Sequence, residues 1–127
     1  MNSRDHHKEV EQKHQVVLQG TQLTIGAGWV DIVDLALDEF ATLDIPNLSV
    51  TTVKEKFGAL RIYAMGDRTA SDWPKVQDII GRAVEASITT CEVCGDVDDV
   101  DVIMEGGWLR ARCPIHTNHA SNGVDRG

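Results

Sequence analysis

The sequence predicts an α+β fold carrying a metal-bound appendage. Two stretches of helical apolar periodicity, a β-prone run between them, and two metal-ligand pairs near the C-terminus predict it. The periodic stretches are Trp29–Leu43 and Trp73–Ser87, and the β-prone run centres on Phe57-Gly58. The pairs are Cys91-x2-Cys94 and Cys113-x2-His116, with eighteen residues between Cys94 and Cys113. Strands and helices are segregated along the chain, as in α+β domains. The boundaries expected are a flexible arm over 1–19, a helix-hairpin-helix core over 20–88, a zinc-binding module packed on that core over 89–120, and a disordered tail over 121–127.

Residues 1–18 hold three of the five histidines and no clear periodicity. They read as a mobile arm or one short helix around Lys8–Leu18, with solvated histidines. Gln22-Leu23-Thr24-Ile25 suits a short strand. In the first helix, Trp29, Val33, Ala36 and Phe40 recur at helical spacing, and Ile32, Leu37 and Leu43 widen the stripe. Gly28 is its expected N-cap, and Pro46 stops it beyond Leu43. Asp31, Asp34 and Asp38 share the outer face, as a solvated surface or, far less commonly, a hard-cation site. Leu48–Lys56 and Leu60–Met65 form a hairpin, with Leu60, Ile62 and Ala64 on the packed face and Arg61, Tyr63 and Met65 opposite. Asp72 is the expected cap of the second helix. Pro74 lies in its first turn, where a missing amide costs nothing, and Asp78 pairs with Arg82 on its outside.

The ligand pairs carry the most specific signal. Cys91, Cys94, Cys113 and His116 make a Cys3His set, and thiolate sulfur and imidazole nitrogen are what a tetrahedral structural zinc prefers. An iron-sulfur centre or unrelated thiols are the alternatives, and His119 competes with His116 as fourth ligand. All three cysteines are used, which leaves none for a disulfide. Between the pairs, Val102–Glu105, Gly106-Gly107 and Trp108–Arg112 read as strand, turn, strand. A knuckle, a hairpin and then ligands at a helix start describe a treble clef; an irregular last segment would make it a zinc ribbon.

Charge and composition narrow the function. Net charge is −8, from 20 acids and 12 bases. No Lys or Arg occurs from Gln19 to Val53 or from Ala83 to Leu109. Such a chain repels a phosphate backbone, which argues against general nucleic-acid binding. The acidic excess serves solubility or, alternatively, a docking face. Lys54, Lys56 and Arg61 make one basic spot, either edge-strand lysines that discourage aggregation or a patch for an acidic partner. No stretch approaches a membrane span, and the charged N-terminus does not resemble a signal peptide, so a cytoplasmic location is expected.

Gly28-Trp29, then Val53-Lys54-Glu55-Lys56-Phe57-Gly58-Ala59-Leu60-Arg61, then the ligand pairs with Gly106-Gly107-Trp108 together resemble a family of small uncharacterised bacterial and phage proteins. The resemblance spans roughly Gly28 to His116, and Ala59 departs from it where the family has glycine. It implies a bacterial, phage or prophage origin and a zinc-bound fold, with no established activity.

No Ser-His-Asp or His-Glu-x-x-His arrangement is present, no cysteine is spare, and four ligands close the metal, so no enzymatic activity is expected. The expected function is a non-catalytic acidic module that binds a protein, and the phage resemblance suggests an inhibitor of a host defence such as CRISPR interference. Its contact residues would be Lys54, Lys56, Phe57, Arg61, Asp98, Asp99, Asp101 and Trp108. The alternatives are a nucleic-acid reader using the basic hairpin with Arg110 and Arg112, or a treble-clef nuclease with His119 as its free histidine. Trp29, Trp73 and Trp108 are many large groups for so small a core and leave homodimerisation open.

Overall fold

The computed structural model describes residues 4–116. The elements run α1 (Asp5–Lys13), α2 (Gln15–Leu18), β1 (Leu23–Thr24), a 3-10 turn (Ala27–Trp29), α3 (Val30–Phe40), β2 (Ser49–Lys56), β3 (Ala59–Met65), α4 (Trp73–Ile88), β4 (Asp101–Glu105) and β5 (Trp108–Arg112). The chain is therefore α+β. No helix among the described residues is long and apolar enough to cross a membrane.

The first sheet has the order β1-β2-β3. β2 and β3 pair antiparallel, and β1 adds a parallel strand that turns the expected hairpin into a three-stranded sheet. Val53 stands opposite Ile62 and, on the other side, Leu23; these face inward. Lys54 stands opposite Arg61 and Thr24, and these face outward. The period-2 alternation read in β3 holds, since Leu60 and Ile62 are buried while Tyr63 and Met65 are exposed. α3 and α4 close the inward face: Val33, Leu37, Phe40, Val76 and Ile79 join Val50, Val53 and Leu60 in one core.

Several local expectations are corrected by tertiary contacts. The segment expected to be a flexible arm is helical, and Val10 and Leu18 enter the core. Burying two aliphatic side chains contributes roughly 3–5 kcal/mol before ordering costs, enough to hold a short helix in place. Arg4 and Glu11 also cover the outer edge of β1, donating to Leu23 O at 2.8 Å and accepting from Leu23 N at 2.8 Å. His7 and His14 are buried rather than solvated. α3 begins at Val30 after the 3-10 turn, with no side-chain cap. Asp72 makes no cap bond; its carboxylate accepts from the Asp44 amide at 2.8 Å and ties the preceding turn to α4. Arg82 reaches across to Glu39 on α3 at 2.9 Å instead of pairing with Asp78.

Candidate metal centre

Cys91 and Cys94 lie in the knuckle that follows α4, Cys113 directly follows β5, and His116 sits in the helical turn that starts at Pro114. The hairpin between them closes through Gly106 and Gly107, both with positive φ (56° and 87°), as a two-residue type I′ turn requires. Gly95, at φ 84°, lets the knuckle amides fold back toward the sulfurs, and its own amide donates to Cys91 O at 2.8 Å.

This folding gathers the four donors. Cys94 Sγ and Cys113 Sγ are 3.8 Å apart, and His116 Nδ1 lies 3.5 Å from Cys91 Sγ and 3.0 Å from Cys113 Sγ. All four ligand atoms fall within 4.8 Å of one another, and no disulfide forms. The group can hold a metal ion. The competing ligand His119 lies outside the described residues.

The thiols respond to their crowding in opposite directions. Burial pushes Cys91 up, but backbone amides from Cys113, Cys94 and Val93 outweigh it and hold this thiol below its ordinary range. Cys94 is favoured as thiolate by the Asp96 amide, yet burial and the neighbouring sulfurs of Cys113 and Cys91 push it above. A cation shared by the sulfurs would favour the thiolate form of Cys91 and Cys94 together.

The knuckle is bolted to the core by residues whose role sequence reasoning missed. A Cβ at Gly28 would overlap the Cys91 carbonyl oxygen, and one at Gly26 would overlap that of Glu92. Gly28 N donates to Glu92 O at 2.9 Å, and Trp29 Nε1 donates to Thr90 O at 2.8 Å. The Gly-x-Gly-Trp run thus fits flush against the knuckle. Below it, Glu92 is buried between two guanidinium groups, 2.9 Å from Arg112 and 3.9 Å from Arg110, and Arg110 reaches Glu55 at 3.0 Å. Burial raises the Glu92 carboxyl above its usual range, against the pull of Arg112. Two acids and two bases alternating in one seam were visible in the sequence only as separate charges.

The residues read as partner-binding do not form one site. Lys54, Lys56 and Arg61 lie on the outward sheet face. Asp98 and Asp99 are exposed on the loop into β4, Asp101 is exposed at the start of that strand, and Trp108 is 61% exposed at the hairpin tip. Phe57 is exposed with the Lys56 ammonium 5.3 Å above its ring, and the turn that carries it seats Gly58 against Val102 and Leu109 of the ligand-bearing half. The Asp31, Asp34 and Asp38 face is a salt-bridge surface, with His6 on Asp31 and with Lys13 and His14 on Asp34 and Asp38. The Lys13 ammonium already sits where a cation would.

Comparison with family models, with curated proteins and with solved structures finds no match, so the reading of this centre rests on its own geometry.

Proposed function

We propose that this chain is a non-catalytic zinc-stabilised module that binds a protein partner through its metal-bound half. Zinc is the ion that best suits the donor set. With sulfur at about 2.3 Å and nitrogen at about 2.05 Å from the metal, a tetrahedron separates two sulfurs by about 3.8 Å and sulfur from nitrogen by about 3.6 Å. The Cys94–Cys113 and Cys91–His116 edges lie at those lengths. The Cys113–His116 edge needs to open by only about half an ångström. Four protein donors leave no position for a reacting water, which makes the metal structural. The order of knuckle, hairpin and helical turn supports a treble clef over a zinc ribbon. Thiolate ligation suits a reducing compartment such as the cytoplasm.

One observation carries the binding role. Six large apolar side chains are exposed between Val93 and Ile115, namely Val93, Val97, Val102, Met104, Trp108 and Ile115. Among them stand Asp98, Asp99 and Asp101, none paired with a base among the described residues. Asp101 and Trp108 share one face of the β4–β5 hairpin and Val102 and Met104 the other, and exposed apolar groups beside charges of one sign mark an interaction surface. The matching partner is a groove with an apolar floor and basic rim, the kind that otherwise takes nucleic acid. Inhibition of a host nucleic-acid-guided defence is the biological extension of that fit.

The test is affinity capture from nuclease-treated bacterial lysate. It compares wild type with an Asp98→Lys/Asp99→Lys/Asp101→Lys variant at low and high salt. One stoichiometric protein, lost with the reversals and weakened by salt, is expected. Retention unaffected by both would remove the acidic-surface reading. Recovery of nucleic acid alone, with nuclease omitted, would replace it with a nucleic-acid reader.

A further inference from the structure

The bases of this acidic chain are not distributed evenly between paired and unpaired states. Arg4, Lys13, Lys75, Arg82, Arg110 and Arg112 each meet a carboxylate at 2.9–3.2 Å. Among the described residues Lys8, Lys54, Lys56, Arg61 and Arg68 meet none, and three of these five, Lys54, Lys56 and Arg61, lie together on the outward face of the first sheet. Lys54 and Arg61 stand directly opposite each other across the β2–β3 ladder. Like charges in that position destabilise a sheet. A chain with 20 acids has ample means to neutralise the pair, yet no acid among the described residues pairs with it.

The rest of the face is built of hydrogen-bonding groups, one aromatic ring and, at its far end, the exposed Met65. Thr21, Gln22, Thr24, Thr51 and Thr52 surround Lys54 in a shallow depression of about 430 Å³. Tyr63, 47% exposed, stands opposite Thr52, one same-face step along β3 from Arg61. Same-face positions along a strand are about 7 Å apart, comparable to the repeat of an extended nucleotide chain.

We infer that this sheet face binds single-stranded nucleic acid, with phosphates on Lys54, Arg61 and Lys56, threonine hydroxyls on the backbone oxygens, and a base stacked on Tyr63. An acidic peptide offers the same charge but needs apolar pockets for its side chains; beside Lys54 this face offers threonine hydroxyls and Gln22, and Met65 lies beyond Tyr63 at its end. The nearest acids are already paired: Glu55 and Glu92, which line the depression on the other side of Thr24, are held by Arg110 and Arg112. The Asp31, Asp34 and Asp38 side chains belong to α3, on the opposite side of the sheet, and each is engaged by His6, His14 or Lys13. Charges across a domain are screened beyond about 8 Å at physiological salt. The inference does not depend on the protein-binding role of the metal-bound half, which uses other residues.

The experiment is fluorescence anisotropy of a labelled twenty-nucleotide poly-dT with the zinc-loaded full chain. Three phosphate contacts predict a log–log salt slope of about −2, or about 20-fold weaker binding between 50 and 200 mM salt. Lys54→Gln/Arg61→Gln should reduce the slope to about −0.7 while its melting temperature holds or rises, because the like-charge row is relieved. Tyr63→Leu should weaken binding about tenfold at every salt without changing the slope. Lys75→Gln, at a paired base on α4, should leave both unchanged. Absence of binding at 50 mM salt, or the same slope in the double variant, would overturn the inference. Displacement by poly-glutamate at equal charge concentration would also overturn it, in favour of an acidic protein segment.

Discussion

The two halves of this molecule are held together by different physics. In the helix-and-sheet half, Trp29, Leu37, Phe40, Leu60 and Val76 are fully buried, and apolar burial carries the fold. In the half from Cys91 to His116, Ala111 is the main aliphatic contribution to the core, while Met104 and Trp108 are 67% and 61% exposed. A hairpin with so little buried cannot stand alone in water. On the proposed reading, a metal held by its four ligand atoms replaces the missing core. A fold carried by metal coordination can leave its apolar side chains outside, where a partner can use them; a fold carried by burial cannot.

Removing the metal is the strongest way to break this comparison. Structural zinc contributes on the order of 10–16 kcal/mol of apparent binding free energy in small fingers. Chelation, or Cys91→Ser/Cys94→Ser, should abolish amide-exchange protection from 91 to 116. The helical circular dichroism of the core should persist at a lowered melting temperature. Unchanged core melting would mean that the halves are energetically separate. The seam itself can be tested next with Gly28→Ala, which drives a methyl group into the Cys91 carbonyl. It should cost about 3 kcal/mol in chemical denaturation and weaken metal affinity, because the knuckle must shift.

Matched truncations sharpen the contrast. Leu37→Ala, in the buried core, should cost about 3 kcal/mol, whereas Trp108→Ala should change stability by less than about 0.5 kcal/mol while weakening partner capture. A large stability loss from Trp108→Ala would show that the metal-bound half hides a core of its own. The smallest effect concerns the N-terminal helix. His6 faces Asp31 at 2.7 Å and Glu9 at 3.3 Å, and these bonds raise its pKa. A raised folded pKa gives stability that is full below the unfolded value near 6.5 and lost as pH climbs through the folded one. Protection of α1 amides should therefore fall between pH 6 and pH 8, by a few tenths of a kcal/mol after solvent screening. His6→Gln should flatten that dependence.

Much of the candidate centre was legible in sequence because its signals are short-range. The Cys-x2-Cys and Cys-x2-His spacings bring each ligand pair together within one turn, and Gly106-Gly107 needs only its own backbone freedom to close the hairpin. The helical stripes of α3 and α4 were legible for the same reason, since apolar periodicity is written along one element. Docking of the N-terminal helix was not, because Val10 and Leu18 become core residues only when α3 and β2 supply surfaces to receive them.

The sequence by itself determined the ligand set, the helical faces, the two hairpins and the acidic balance, all local in chain distance. Tertiary structure alone decided which charges meet. It sent Arg82 to Glu39, placed Arg110 and Arg112 on Glu55 and Glu92, and left Lys54, Lys56 and Arg61 on one face with no carboxylate partner among the described residues. It also decided that Gly26 and Gly28 must lack side chains, because the knuckle's carbonyl oxygens occupy that space. Pairing and close approach depend on distances across the fold, and linear spacing carries no information about those until the chain has closed on itself.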